Sequence, residues 1–95
     1  MPQLSISNNE QQQQFQVKVD GELAWLEYRL HEGRIVLMHT EVPGALGGRG
    51  IGSALVEYAF NYARAHHLPV KIYCHFVAAY ARRHPEQQDI VVQSD

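Results

Sequence analysis

A glycine cluster divides this sequence into two parts with different hydrophobic periodicity. Residues 44–53, GALGGRGIGS, contain five glycines in ten positions. Apolar residues before the cluster alternate as in strands, whereas those after it recur at helical spacing. The second pattern predicts an amphipathic helix of about 18 residues, or about 27 Å. Its apolar stripe consists of Ile51, Ala54, Leu55, Tyr58, Ala59, Tyr62 and Ala63. The cluster is therefore a connection from a strand into the start of a helix.

The segment before the cluster predicts a three-stranded antiparallel meander. A first strand alternates from Phe15 and ends at Asp20-Gly21, a pair typical of a tight hairpin turn. The sequence ELAWLEYRL forms the next strand, and HEGR (residues 31–34) the second turn. The third strand, IVLMHTEV (residues 35–42), is mostly apolar, which suggests burial on both faces.

After the long helix, whose last turn holds His66 and His67, we expect a strand, a short helix and a final edge strand. These elements are VKIYC after Pro69, FVAAYARR at 76–83, and DIVV at 89–92. The predicted fold is an α+β (α/β) domain with a mixed, mostly antiparallel sheet and the order β-β-β-α-β-α-β. Residues 14–95 form this single domain, and residues 1–13 form a polar, partly disordered lead-in in which Leu4 and Ile6 make a short edge contact.

Composition restricts the class of protein. A chain of 95 residues forms one small domain, and its net charge of −2 argues against broad phosphate neutralisation on nucleic acid. No apolar run approaches the ~20 residues that cross a bilayer, and the N-terminus does not resemble a signal peptide. The single cysteine, Cys74, fits a reducing compartment. We expect a soluble cytoplasmic protein, monomeric or weakly dimeric, with no nucleic-acid or membrane partner.

The glycine cluster predicts an anion site, because free amides at a helix N-terminus point towards a ligand. The lysine that a triphosphate loop requires is missing, since Ser53 follows Gly52 directly. The small residue of a dinucleotide fingerprint is also poorly matched. The alternative is a tight strand-to-helix turn without a ligand. The six histidines show no helical i, i+4 pair, so we expect no metal site.

The stretch VPGALGGRGIGSALVEYA resembles the acyl-CoA-binding motif of the GNAT superfamily of N-acetyltransferases. Gly50 and Gly52 match the two motif glycines, whereas Gly47 stands where that family has Arg or Gln. Arg49 is a candidate for the compensating charge. The phrases HTEVP, GRGIGSALV, CHFVAAY and RRHPE resemble the short, single-domain branch of the superfamily across residues 15–92. This branch lacks the usual N-terminal helices.

The resemblance implies acetyl-CoA or coenzyme A as the co-substrate. Backbone groups of Thr40, Glu41 and Val42 would contact the pantetheine arm, which lies between two splayed strands in the family. The pyrophosphate would bind the amides of Gly47, Gly48, Arg49, Gly50, Ile51, Gly52 and Ser53.

Four side chains are candidates for catalysis. Glu41 is the first candidate for the general base and His39 the second, and strand alternation places both on the face of Ile35 and Leu37. The alternative is that both are ordinary polar residues of the strand.

The other two candidates follow the glycine helix. Cys74 is either an acyl acceptor beside the thioester or a small buried side chain. By resemblance, Tyr80 would protonate the departing thiolate, or else it is a core aromatic. Arg82, Arg83 and His84 are a solvated basic helix end or contacts for the CoA phosphates.

Two functions remain open on the sequence. The first is an acetyl-CoA-dependent N-acetyltransferase, in which a protein, peptide or small-molecule amine attacks directly in an open acceptor site. The second is a non-catalytic module that binds CoA or another protein and retains the GNAT fold.

Overall fold

The structure, a computed structural model, describes residues 4–92 as a five-stranded sheet with two helices. The strands are β1 (Ser7–Asn9), β2 (Gln14–Val19), β3 (Glu22–His31), β4 (Arg34–Glu41) and β5 (Val70–Ile72), and the helices are α1 (Ile51–Ala65) and α2 (His75–Arg83). Two 3-10 turns, Gly44–Leu46 and Pro85–Ile90, complete the elements.

Two tight hairpins build the predicted meander. Asp20 and Gly21 have φ values of 52° and 78°, and Glu32 and Gly33 have 52° and 76°. Left-handed conformations at both central residues match the right-handed twist of the paired strands. The sheet order is β1-β2-β3-β4-β5, with the first four strands antiparallel and β5 parallel to β4. The mixed, mostly antiparallel α+β fold is confirmed.

One hydrophobic core joins the sheet to both helices. Phe15 stacks on Tyr28 with 4.5 Å between ring centroids, and Tyr58 meets the edge of this pair from α1. Phe60 of α1 and Tyr80 of α2 continue the cluster, 5.8 Å apart. The helices therefore cover one face of the sheet, which we call the inner face.

Helix α1 ends earlier than the periodicity predicts. It spans 15 residues, and His66 follows as its C-cap. His67 then takes a left-handed φ of 56°, which stops the helical path before Pro69. Strand β5 is also shorter than VKIYC, because Cys74 already caps α2.

Both ends of the chain differ from the expected arrangement. Within the predicted lead-in, residues 7–9 form β1, which pairs with β2 at the edge of the sheet. The prediction of a final strand at residues 89–92 was wrong. Pro85 begins a 3-10 turn that continues to Ile90, and one parallel bridge joins Val91 to Val70. A proline at the first position favours such a turn. Residues 1–3 and 93–95, which the lead-in and domain boundaries include, lie outside the described residues.

Between residues 4 and 92, neither helix has the length and apolarity that a membrane crossing requires.

Candidate functional site

Strand β4 separates from β5 halfway along its length. Pairing with β5 covers Ile35 to Leu37, and the Tyr73 N–H donates to the Leu37 carbonyl at 3.0 Å. Beyond this point β4 continues to Glu41, whereas the segment that follows β5 turns away into α2. Within residues 4–92, the β5-side edge of β4 from 38 to 41 has no strand partner. A cleft therefore opens beside an unpaired strand edge, which can offer backbone hydrogen bonds to an extended ligand.

A β-bulge at Met38 changes the direction of the side chains along this edge. Glu27 pairs with His39, but its neighbour Tyr28 pairs with Leu37, so Met38 is an extra residue in β4. Such a bulge reverses the alternation beyond it. Thr40 therefore lies on the inner face, opposite the fully buried Leu26.

His39 and Glu41 lie on the outer face of the sheet. The prediction that they share a face was correct, but the prediction that this face includes Ile35 and Leu37 was wrong because of the bulge. The His39 Nε2 and Glu41 Oε1 atoms are 2.9 Å apart, and both side chains are about half exposed. This geometry allows a proton to pass between imidazole and carboxylate at a surface that an amine can reach.

Cys74 lies across the cleft from Thr40. Its Sγ is 3.4 Å from the Thr40 Oγ1, and the residue is 8% exposed. Burial raises the pKa of the Cys74 thiol. Hydrogen bonds from the Thr40 hydroxyl and from the backbone N–H groups of Val77 and Phe76 together lower the pKa by more than burial raises it, so the net pKa lies below the usual value. The start of α2 thus favours a thiolate at the inner side of the cleft.

The glycine loop leads from the end of β4 to the start of α1. Leu46 is buried and anchors the loop to the core. Gly48 and Gly50 take left-handed φ values of 75° and 74°, which glycine adopts without strain. The first intrahelical bond joins the Ala54 N–H to the Gly50 carbonyl at 3.0 Å. The amides of 51–53 precede it and are the free donors of a helix N-terminus.

A groove of about 310 Å³ runs along this loop. We call it the loop groove; one wall is Phe76 of α2, and the other residues that line it are Val42, Pro43, Gly44, Leu46, Gly47, Gly48, Gly50, Ile51, Gly52 and Ser53. A Cβ at Gly52 would lie 2.7 Å from Cζ of Phe76, so glycine is required for this close approach. The groove connects the end of β4 with the free amides of α1.

Two predicted contributors have other partners. Arg49 donates to Asp20 at 2.8 Å in an exposed ion pair. The Asp20 carboxylate, in the β2–β3 turn, therefore partly neutralises the charge of Arg49. The Gly47 N–H, predicted to bind pyrophosphate, donates instead to the Gly44 carbonyl at 3.0 Å, and the residue has an ordinary extended conformation, with φ −60° and ψ 147°. A Cβ there would lie 3.2 Å from the Gly44 carbonyl oxygen. The donors that the loop could offer to an anion are therefore mainly backbone amides.

Tyr80 lies on the side of α2 that faces α1. The residue is 3% exposed, and its ring stacks on that of His84 with 3.9 Å between centroids. Burial raises the pKa of the Tyr80 hydroxyl, and the nearby carboxylates of Glu57 and Glu86 raise it further, so the phenol is protonated at neutral pH. Tyr80 lines a second groove between α1 and α2, and it takes no part in the Thr40–Cys74 contact.

Some features of the candidate site were not predicted from the sequence. Phe76 forms a wall of the loop groove, and its position in the first turn of α2 was the only available signal. The Met38 bulge left no signal, because β4 begins as a continuous apolar run. Within the described part of the chain, no group of three or more His, Cys, Asp or Glu residues could hold a metal ion.

The arrangement of the sheet, the splayed strand and the glycine-rich helix start is the one that the GNAT resemblance implies. Residues 14–90 match the family described as GCN5-related N-acetyl-transferase, and the chain belongs to that family.

Curated relatives and a solved structure agree with this family. Protein NATD1 from Mus musculus is 33% identical over 88 residues, which cover 90% of this chain and 80% of the mouse protein. Protein NATD1 from Homo sapiens is 32% identical, with 90% and 78% covered. The NMR solution structure of a GCN5-like protein from Staphylococcus aureus superposes with a TM-score of 0.75 at 28% identity, covering 100% of this chain and 94% of that one.

Proposed function

We propose that the protein is an acetyl-CoA-dependent N-acetyltransferase that transfers an acetyl group to an exposed primary amine. The observation that carries the proposal is the continuous path from the unpaired edge of β4, through the loop groove, to the free amides of α1. A strand edge suits the amide groups of a pantetheine arm, and a helix N-terminus suits a pyrophosphate. The residues present therefore fit this co-substrate.

The acceptor amine would approach from the outer face, where the His39–Glu41 pair is accessible. An ammonium group must lose a proton before its nitrogen can attack a thioester carbonyl. Glu41 accepts this proton, directly or through His39, which lies within hydrogen-bonding distance. The nitrogen then forms the new C–N bond while the C–S bond breaks, and the leaving thiolate takes a proton from solvent in the open cleft.

Direct attack is favoured over an acyl-cysteine intermediate. Cys74 is nearly buried, and hydrogen-bond donors rather than a base surround its sulfur. These donors favour a thiolate but also reduce its nucleophilicity. If the intermediate does form, incubation with acetyl-CoA will increase the intact mass by one acetyl group in the native chain and not in Cys74→Ala.

Binding and turnover are tested separately. Titration calorimetry with acetyl-CoA tests the co-substrate, and absence of binding at millimolar ligand would overturn the proposal. Thiol release with a panel of peptide and small-molecule amines tests turnover. Glu41→Gln is expected to reduce kcat by about 100-fold or more, as is typical of a lost general base. Glu32→Gln, in the exposed β3–β4 turn, is the control for the loss of a carboxylate.

A second candidate is a non-catalytic CoA-binding module. The observation in its favour is that Gly47 contributes no side chain to the loop and Arg49 is paired with Asp20, so the co-substrate would be held mainly by amides. Binding of acetyl-CoA without thiol release in the presence of any amine would favour this candidate.

A further inference from the structure

A second groove meets the loop groove at the start of α1. We call it the interhelix groove; it measures about 370 Å³, and it is lined by Gly50, Ser53, Ala54, Glu57, Tyr80, Arg83 and His84. Gly50 and Ser53 line both grooves. A ligand centred on the α1 amides can therefore extend in two directions, towards the end of β4 or along the space between the helices.

The α2 wall of the interhelix groove carries the positive charge. Within residues 4–92, no carboxylate oxygen lies within 4.0 Å of the Arg83 guanidinium. His84 stacks on Tyr80, and its Nδ1 is 2.9 Å from the Tyr80 carbonyl oxygen. A carbonyl can only accept, so Nδ1 carries the proton and Nε2 is the nitrogen available to a ligand.

Glu57 on the opposite wall weakens this positive potential. Its carboxylate lines the same groove, and it is also close enough to raise the pKa of Tyr80. A ligand phosphate must therefore lie nearer to α2 than to Glu57. This requirement favours a single phosphate bound by Arg83 over a diffuse anion site.

The following inference rests on the proposed function. Coenzyme A is a linear molecule with a pyrophosphate in its middle, a pantetheine arm on one side, and a ribose 3′-phosphate and adenine on the other. If the pyrophosphate binds the α1 amides and the arm follows β4, the nucleotide half leaves through the interhelix groove. We infer that Arg83 binds the ribose 3′-phosphate and makes the site select coenzyme A over 3′-dephospho-coenzyme A.

The test is the ratio of two dissociation constants measured by titration calorimetry, one for coenzyme A and one for 3′-dephospho-coenzyme A. The native chain is expected to bind coenzyme A about twofold to fivefold more tightly, which is the range for an exposed ion pair. Arg83→Gln should reduce this ratio to near one, mainly by weakening the binding of coenzyme A. Glu57→Gln should increase the ratio, because it removes the opposing carboxylate.

Arg82→Gln is the matched control. It changes the net charge equally at the neighbouring position of the same helix, but Arg82 does not line the groove. It should leave the ratio unchanged, and the melting temperature of each variant shows whether it folds as the native chain does.

The outcomes separate the inference from the proposed function. If both ligands bind the native chain equally, or if Arg82→Gln lowers the ratio as much as Arg83→Gln, the Arg83 assignment is overturned while coenzyme A binding stands. If neither ligand binds, the proposed function and the inference fail together.

Discussion

Two glycines of the loop should respond in opposite directions to replacement by alanine. Gly50 has φ 74° and ψ 14°, and a Cβ built on it meets nothing within 4 Å. The cost of Gly50→Ala is therefore backbone strain alone, about 1–2 kcal/mol for a left-handed residue with a side chain. Gly44 also has open space around its Cβ, but its φ lies outside the left-handed region. Gly44→Ala should stabilise the fold by about 0.4–1 kcal/mol, because alanine restricts the unfolded chain.

The two variants should thus differ by about 1.5–3 kcal/mol in the free energy of unfolding. In a domain of about this length, each kcal/mol shifts the melting temperature by about 4–8 °C. Urea unfolding followed by circular dichroism measures the difference, with unchanged m-values as the check for two-state behaviour. If Gly50→Ala is as stable as Gly44→Ala, the left-handed conformation at the start of α1 is not required.

Three further predictions concern the loop and the cleft. Gly52→Ala should displace the ring of Phe76, whose Cζ lies 2.7 Å from the added Cβ, and should weaken acetyl-CoA binding by calorimetry more than it lowers the melting temperature. Gly47→Arg should tighten binding by about twofold to fivefold, as expected for an exposed ion pair, and unchanged affinity would show that phosphate does not reach this position. Thr40→Val should raise the pKa of the Cys74 thiol by removing a hydrogen bond, which an upward shift in the pH midpoint of iodoacetamide alkylation would reveal. Because the folded pKa of Cys74 is lowered, its contribution to stability increases as pH rises from the folded towards the unfolded pKa, and Thr40→Val should flatten this slope in urea titrations.

The meander could be predicted from the sequence because its signals are local. The turn at Asp20-Gly21 requires left-handed conformations, which only a few residue types adopt easily. Apolar and polar residues alternate clearly in the strands on both sides. The error at residues 89–92 has the opposite cause. A run of four residues contains too few positions to distinguish a strand from another extended segment, and Pro85 favours a turn.

The geometry of the glycine loop was predictable where the backbone alone determines it. Dense glycines before a helical stripe indicated free amides and close approach, and Gly50 and Gly52 show a left-handed φ and a contact with Phe76, respectively. The identity of that contact was not predictable, because Phe76 reaches the loop only through the packing of α2 against α1. Tertiary contacts between distant segments leave no periodic signal in either segment.

The bulge at Met38 has a direct chemical consequence for the cleft. In a regular strand, His39 and Glu41 would share the inner face with Leu37, and burying this pair beside the core would carry a large desolvation cost. The extra residue places Thr40 inside instead, where its hydroxyl contacts the thiol of Cys74. The same shift leaves the imidazole and carboxylate on the outer face. One inserted residue thus separates the buried thiol from the exposed imidazole–carboxylate pair across the thickness of a single strand, so that under the proposed function an amine reaches the pair without entering the core.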